Sequence, residues 1–132
     1  MITKIPAKYR DLVSWDKKAF AHLALVLRDA TPHVTPVWFD YDGEHVIVNS
    51  ALGRVKDNVL RRGRVAALAI SDPDNPYRYI QIRGKVVEIT EQGAREMIDH
   101  LSQKYTGKPY QWYEGETRVT YRLLPELVST MG

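Results

Sequence analysis

Within SALGRVKDNVLRRGRV, residues 50–65, five cations fall in eleven residues: Arg54, Lys56, Arg61, Arg62 and Arg64, with Asp57 the one acid among them. Val55, Val59 and Leu60 are spaced for a short helix with one buried stripe, and Gly63 stands where such a helix stops. Arg54 and Lys56 then sit at the helix N-terminus, where the dipole is already positive and each cation costs a few tenths to about 1 kcal/mol. Unused amide donors, the dipole and two cations together make a seat for a phosphate. A solvated surface pair tolerated at small cost is the competing reading. Arg61, Arg62 and Arg64 lie at the opposite end, where cations complement the dipole, and need no ligand to explain them. The preceding run VIVNSALGR brings Asn49 and Ser50 to the same corner, where a planar ring could lie against a strand while its phosphate reaches the helix.

The elements that must position these residues are mostly strands. AHLALVLRD reads as a Leu- and Val-rich strand buried on both faces. HVTPVWFDYDGEHVIVNS reads as two extended runs, His33 to Tyr41 and His45 to Asn49, joined at Asp42-Gly43, a hairpin signal. Pro36 lacks an amide donor and points to an edge position or a bulge. VAALAIS is a further strand, DPDNP a turn-rich loop, and YRYIQIRGKVVEIT a long strand that Gly84 interrupts where a barrel wall would bend. Thr90 is suited to cap a helix carrying Ala94, Met97, Ile98, Leu101 and Tyr105 on one face, with Gly107 and Pro109 ending it. A last strand alternates Val119, Tyr121 and Leu123 against Arg118, Thr120 and Arg122 as far as Pro125. A short polar lead, Ala7 to Lys17, has room for a helical turn or two. Six strands, hairpin-linked and with few helices between them, predict a mainly β fold: an antiparallel barrel with two to three helices rather than a doubly wound sheet.

The chain has 132 residues, 44% hydrophobic and 27% charged, which is the size and composition of one folded domain over residues 1–132. It has no cysteine, so thiolate nucleophiles, disulfides and Cys-type metal sites are excluded, and any redox chemistry requires a bound organic cofactor. The net charge of +3 is local: residues 1–66 carry eleven cations against seven acids, the remainder eight against nine. That pattern suits an anionic small molecule better than nucleic acid, which wants a broader basic stripe. No apolar run is long enough to span a bilayer and the N-terminus lacks signal-peptide features, so the expectation is a cytoplasmic protein with no membrane partner.

TPVWFDYDGEHVIVNSALGRVKDNVLRRGRVAALAI, followed by PYRYIQIRGKVVEIT, resembles the pyridoxamine 5'-phosphate oxidase-like split β-barrel superfamily, and more closely its branch of deazaflavin (coenzyme F420)-dependent reductases. The resemblance runs from about Ala21 to Leu124. It implies a homodimer with a deazaflavin, or alternatively FMN, in a groove at the subunit interface. By that analogy Arg54 and Lys56 bind the cofactor phosphate, Asn49 and Ser50 line the ring, and Thr35, Pro36, Val37 and Trp38 pack against it. Asn58, on the same helix, is a further candidate cofactor-binding residue, and Tyr79 and Gln81 reach in from the partner subunit. Two departures stand out. Asn58 precedes Val59 where the family has Leu, and a single Gly63 replaces an Asp-Pro dipeptide. The oxidase's C-terminal substrate-binding segment is also missing after the last strand, so oxidation of pyridoxamine phosphate is not expected.

His22, His33, His45 and His100 lack metal-ligand spacing, and no metal is expected. Hydrolase and nucleotide-triphosphatase motifs are absent. Tyr105, Tyr110, Trp112 and Tyr113, with Lys104 and Lys108, read first as a dimer or core anchor. Alternatives are a single-strand binder and a loop covering the substrate pocket. The function expected is an oxidoreductase passing a hydride between the cofactor and a flat conjugated small molecule, with a non-catalytic cofactor carrier as the competing class. No side chain stands out as a required general acid, so no catalytic residue is assigned.

Overall fold

The computed structural model describes residues 4–112 and 114–132. Seven strands, β1 (Ala21–Val26), β2 (Pro32–Val37), β3 (Asp40–Tyr41), β4 (Val46–Ala51), β5 (Val65–Asp72), β6 (Asn75–Thr90) and β7 (Arg118–Met131), form one sheet in the order β2-β1-β5-β6-β7-β4-β3. Every pairing is antiparallel. The chain steps from β2 at one edge to β3 at the other across Trp38 and Phe39 alone. Three Cα steps reach at most about 11 Å, so the two edges are drawn close together and the sheet curls into a split barrel. Leu23, Leu68, Ile70, Ile80, Ile82, Tyr121 and Leu123 fill its interior, with Phe39, Leu60 and Leu12 closing over them.

Six strands were expected and seven form, because the run from His33 to Tyr41 breaks where it changes edge. Phe39 turns fully into the core at that point. Pro36 sits opposite His22 on β2, an edge strand, one of the two positions its missing donor suggested. The Asp42-Gly43 turn forms as expected: Gly43 has φ 95°, and the Asp42 carboxylate accepts the amides of Glu44 and His45 at 2.9 and 2.6 Å. β1 differs from expectation. It is buried on one face only, with His22 and Val26 exposed on the other.

Gly84 bends β6 at a register shift, where a Cβ would lie 2.4 Å from the carbonyl oxygen of Leu124. Pro125 pairs opposite it, and β7 continues past the expected end to Met131. The irregularity that admits the glycine also spares the proline a ladder bond.

Helix α1 (Val55–Gly63) follows β4, and α2 (Ala94–Thr106) packs across β7 and β4; a 3-10 helix at Ala7–Val13 precedes the barrel. In α1 the buried face is Asp57, Val59 and Leu60, whereas Val55 is exposed. Arg64, not Gly63, takes the left-handed cap at φ 56°. Helix α2 buries Ala94, Ile98 and Leu101 as expected and ends at Gly107, φ 72°. Its N-cap is Gly93; the Thr90 hydroxyl instead accepts the Gln92 amide in the preceding turn, 3.0 Å.

No helix among the described residues is long and apolar enough to cross a membrane.

Candidate cofactor site

The last turn of β4 and the start of α1 build one corner. Arg54 is the N-cap of α1 and supplies no side-chain cap; the first intrahelical bond runs from the Asn58 amide to the Arg54 carbonyl, 3.0 Å. The amides of Val55, Lys56 and Asp57 therefore have no acceptor within the helix. Asp57 turns inward instead. Its carboxylate accepts the Gly53 amide at 3.0 Å, the Tyr121 hydroxyl at 2.5 Å and Arg61 Nε at 2.8 Å, which pins the first turn of α1 to the barrel core. Burial pushes the Asp57 carboxyl up, but these donors outweigh it and hold it below the usual carboxylate range. Arg61 is thus structural, as its end of the helix suggested, although it pairs with Asp57 rather than with carbonyls.

Lys56 is half-buried and no described residue forms an ion pair with it; burial and the nearby charge of Arg54 both lower its pKa. Arg54 is more exposed, and one guanidinium nitrogen reaches Glu116 Oε2 at 3.4 Å.

A network that the sequence did not disclose lies beneath the corner. Arg118, at the start of β7, is 5% exposed; it donates from Nε to Asn49 Oδ1 at 2.8 Å and from Nη1 to Glu116 Oε1 at 2.6 Å and to the Tyr110 hydroxyl at 3.2 Å. Tyr110 in turn donates to Glu116 at 3.0 Å. Asn49 is held from the other side as well, donating to the Ala94 carbonyl at 3.0 Å and to Thr120 Oγ1 at 3.1 Å. Arg118 and Thr120 looked like the outward half of an alternating strand. Both are buried, because α2 packs across this end of β7.

These residues surround an open groove of about 240 Å³. It brings together Pro36, Val37, Trp38, Asn49, Ser50, Arg54 and Lys56 from the sequence-predicted set, and adds Ile98, Leu101, Tyr110 and Arg118. Trp38 is set by Tyr105, whose ring lies 5.6 Å away and nearly parallel, and whose hydroxyl donates to the Ala19 carbonyl at 2.6 Å. Burial pushes the Tyr105 phenol up to about 12, so it remains a neutral donor. Four expected residues are not in the groove. Thr35 lies on β2 opposite Leu23, its hydroxyl oxygen buried and unpaired; Asn58 is exposed and donates to the Gly53 carbonyl at 3.3 Å. Tyr79 and Gln81 lie on β6, on the face away from Ile80 and Ile82. Of the aromatic segment, Tyr105 anchors the core, Tyr110 lines the groove, Trp112 meets Tyr110 edge-on, and Tyr113 falls outside the described residues.

Among the described residues no three histidine, aspartate or glutamate side chains converge as a metal site. The donor set fits a phosphorylated flavin-type cofactor: unaccepted amides with Arg54 and Lys56 for the phosphate, and Val37, Trp38, Ile98 and Leu101 as an apolar wall for a ring.

Residues 5–132 match the model of the pyridoxamine 5'-phosphate oxidase family. No curated protein sequence matches the chain. Among solved structures, an F420 reductase superposes with a TM-score of 0.84 at 30% identity, covering 95% of this chain and 98% of its own. A putative pyridoxamine 5'-phosphate oxidase from Listeria innocua gives 0.69 at 21% identity, covering 93% and 94%. An FAD-binding protein from Mesorhizobium loti gives 0.65 at 21%, covering 96% and 94%; these last two likenesses concern the fold. The curled antiparallel sheet and the match over nearly the whole length place the chain in the pyridoxamine 5'-phosphate oxidase-like split-barrel family, with an F420 reductase among its relatives.

Proposed function

We propose that the protein is a homodimeric oxidoreductase that binds a deazaflavin, coenzyme F420, and passes a hydride between it and a flat conjugated small molecule. The observation that carries this reading is the groove, in which a cation pair and the free amides of α1 stand at one end of an apolar wall. The similarity to an F420 reductase supports the choice of cofactor. When bound, the deazaflavin supplies two-electron hydride chemistry. Arg54, Lys56 and the first amides of α1 hold its phosphate. Asn49, locked by Arg118 and Thr120, presents a fixed polar edge with Ser50, while Val37 and Trp38 orient the ring and exclude water.

Two features support the dimer. The groove is below the roughly 300–1,000 Å³ of sites that enclose a ligand of this size, so one chain supplies one wall. The outer barrel face also exposes Val26, Val34, Leu127 and Met131, each more than half accessible, around an apolar depression lined by Ala24, Ala67 and Gly84. In the dimer Tyr79 and Gln81 of the partner subunit complete the site.

FMN is the second reading, and one observation favours it. The depression that adjoins Arg54 is lined by Glu114 and Glu116, an unwelcoming path for an acidic tail beyond the phosphate. Titration of the apoprotein with each cofactor decides. Deazaflavin binding that weakens at least tenfold, about 1.4 kcal/mol, in Arg54→Ala/Lys56→Ala supports the assignment. Tight FMN binding without deazaflavin affinity replaces the cofactor, and no protein-dependent oxidation of reduced cofactor by quinones, enones or tetrapyrroles makes the protein a carrier.

A further inference from the structure

We propose that Glu116 is a built-in counter-ion that competes with the anionic ligand for Arg54 and so sets which anions the groove accepts. The inference rests on the assignment of Arg54 and Lys56 as the anion seat. Glu116 is held unequally. Its Oε1 accepts from Arg118 Nη1 at 2.6 Å and from the half-buried Tyr110 hydroxyl at 3.0 Å, with the Arg118 and Glu116 side chains only 5% and 6% exposed. Its Oε2 meets Arg54 by one contact at 3.4 Å, and the Arg54 side chain is 58% exposed. Burial alone would raise the carboxyl, yet Arg118, Tyr110 and Arg54 together keep it below the ordinary range, so the charge persists at neutral pH.

The carboxylate can therefore release Arg54 without losing its own solvation, because Arg118 and Tyr110 remain in place. An incoming anion must detach Arg54 from Glu116 and then sit near that negative charge. A phosphate, with more charge and several acceptor oxygens for Arg54, Lys56 and the α1 amides, meets that threshold; a single carboxylate does so poorly. Glu116 also offsets the repulsion between Arg54 and Lys56 at a helix end that disfavours both.

The test follows the backbone amides of α1 by NMR during titration of the full chain with inorganic phosphate and with acetate. In Glu116→Gln, which keeps the side-chain shape, phosphate should bind at least threefold tighter and the preference over acetate should narrow. The gain should vanish when Arg54→Ala is added. Equal or weaker phosphate binding in Glu116→Gln means that the carboxylate supports the seat, and overturns the inference. A gain that survives Arg54→Ala overturns it too, since it would be a general field effect. If Glu116→Gln does not fold, Glu116→Asp, which withdraws the carboxylate from Arg54, should show a smaller gain, and a loss refutes the idea. Phosphate-induced shifts absent from both wild type and variant sink the anion seat itself, which separates that failure from this one.

Discussion

Two clusters of arginine and carboxylate in this molecule use the same parts to opposite ends. Beside the β5–β6 turn Arg78 donates to Asp11 at 2.6 and 3.0 Å, to Asp72 at 2.9 Å and to the Lys8 carbonyl at 2.7 Å, and lies over the Tyr9 ring. Lys17 adds longer contacts to both aspartates. Two cations meet two carboxylates, and the set closes on itself, tying the 3-10 helix to the β5–β6 turn. At the groove Arg54 and Arg118 share the Glu116 carboxylate, and Lys56 has no ion-pair partner among the described residues. Charge balance separates the two roles. A balanced cluster is a fastening, whereas a surplus of cations beside free amides is prepared for an anion.

That distinction can be broken by substitution. The largest effect is expected for Arg118→Leu, which leaves Glu116 buried with only Tyr110 and the single, longer contact to exposed Arg54 for compensation. Denaturant unfolding should show a loss of roughly 3–5 kcal/mol, and a loss near zero would mean that the buried pair is not the anchor of the groove. Arg78→Ala should lower the melting temperature and release the 3-10 helix, visible as faster amide exchange around Ala7–Val13. Phosphate-induced shifts in α1 should be unchanged, and their loss would merge two clusters held here to be separate.

The smallest effect is a pH dependence. Lysine is charged below its pKa, and burial together with Arg54 lowers that of Lys56. Anion affinity should therefore fall as pH rises from neutral towards the ordinary lysine value of about 10.4, earlier than an unperturbed lysine would permit. In Arg54→Ala the like charge is gone, so the remaining affinity should decline at higher pH than in the wild type. A profile flat to that value in the wild type would remove Lys56 from the seat.

Features governed by near neighbours were legible in the chain. The Asp42-Gly43 hairpin, the buried stripe of α2 and the placement of Arg54 and Lys56 at a helix start depend on residues a few positions apart; Gly84 marked its bend in the sequence, although the close approach that requires a glycine there comes from Leu124 on β7. The break at Trp38 and Phe39 did not show. Pro36 signals an edge or a bulge, but nothing at Trp38 and Phe39 themselves interrupts the run, which breaks because barrel closure assigns its halves to opposite edges. Arg118 was hidden for a similar reason. Alternation correctly placed it opposite Val119, but whether that face meets solvent depends on where α2, Tyr110 and Glu116 come to rest.

The amino-acid sequence by itself determined the element types, the turns and the cationic start of α1, since periodicity, turn chemistry and helix polarity act over a few residues. Only the tertiary structure decided which cations are satisfied. Neutralisation depends on carboxylates distant along the chain, as Glu116 is from Arg54 and Asp11 from Arg78, and Coulomb's law acts on distance in space rather than along the chain.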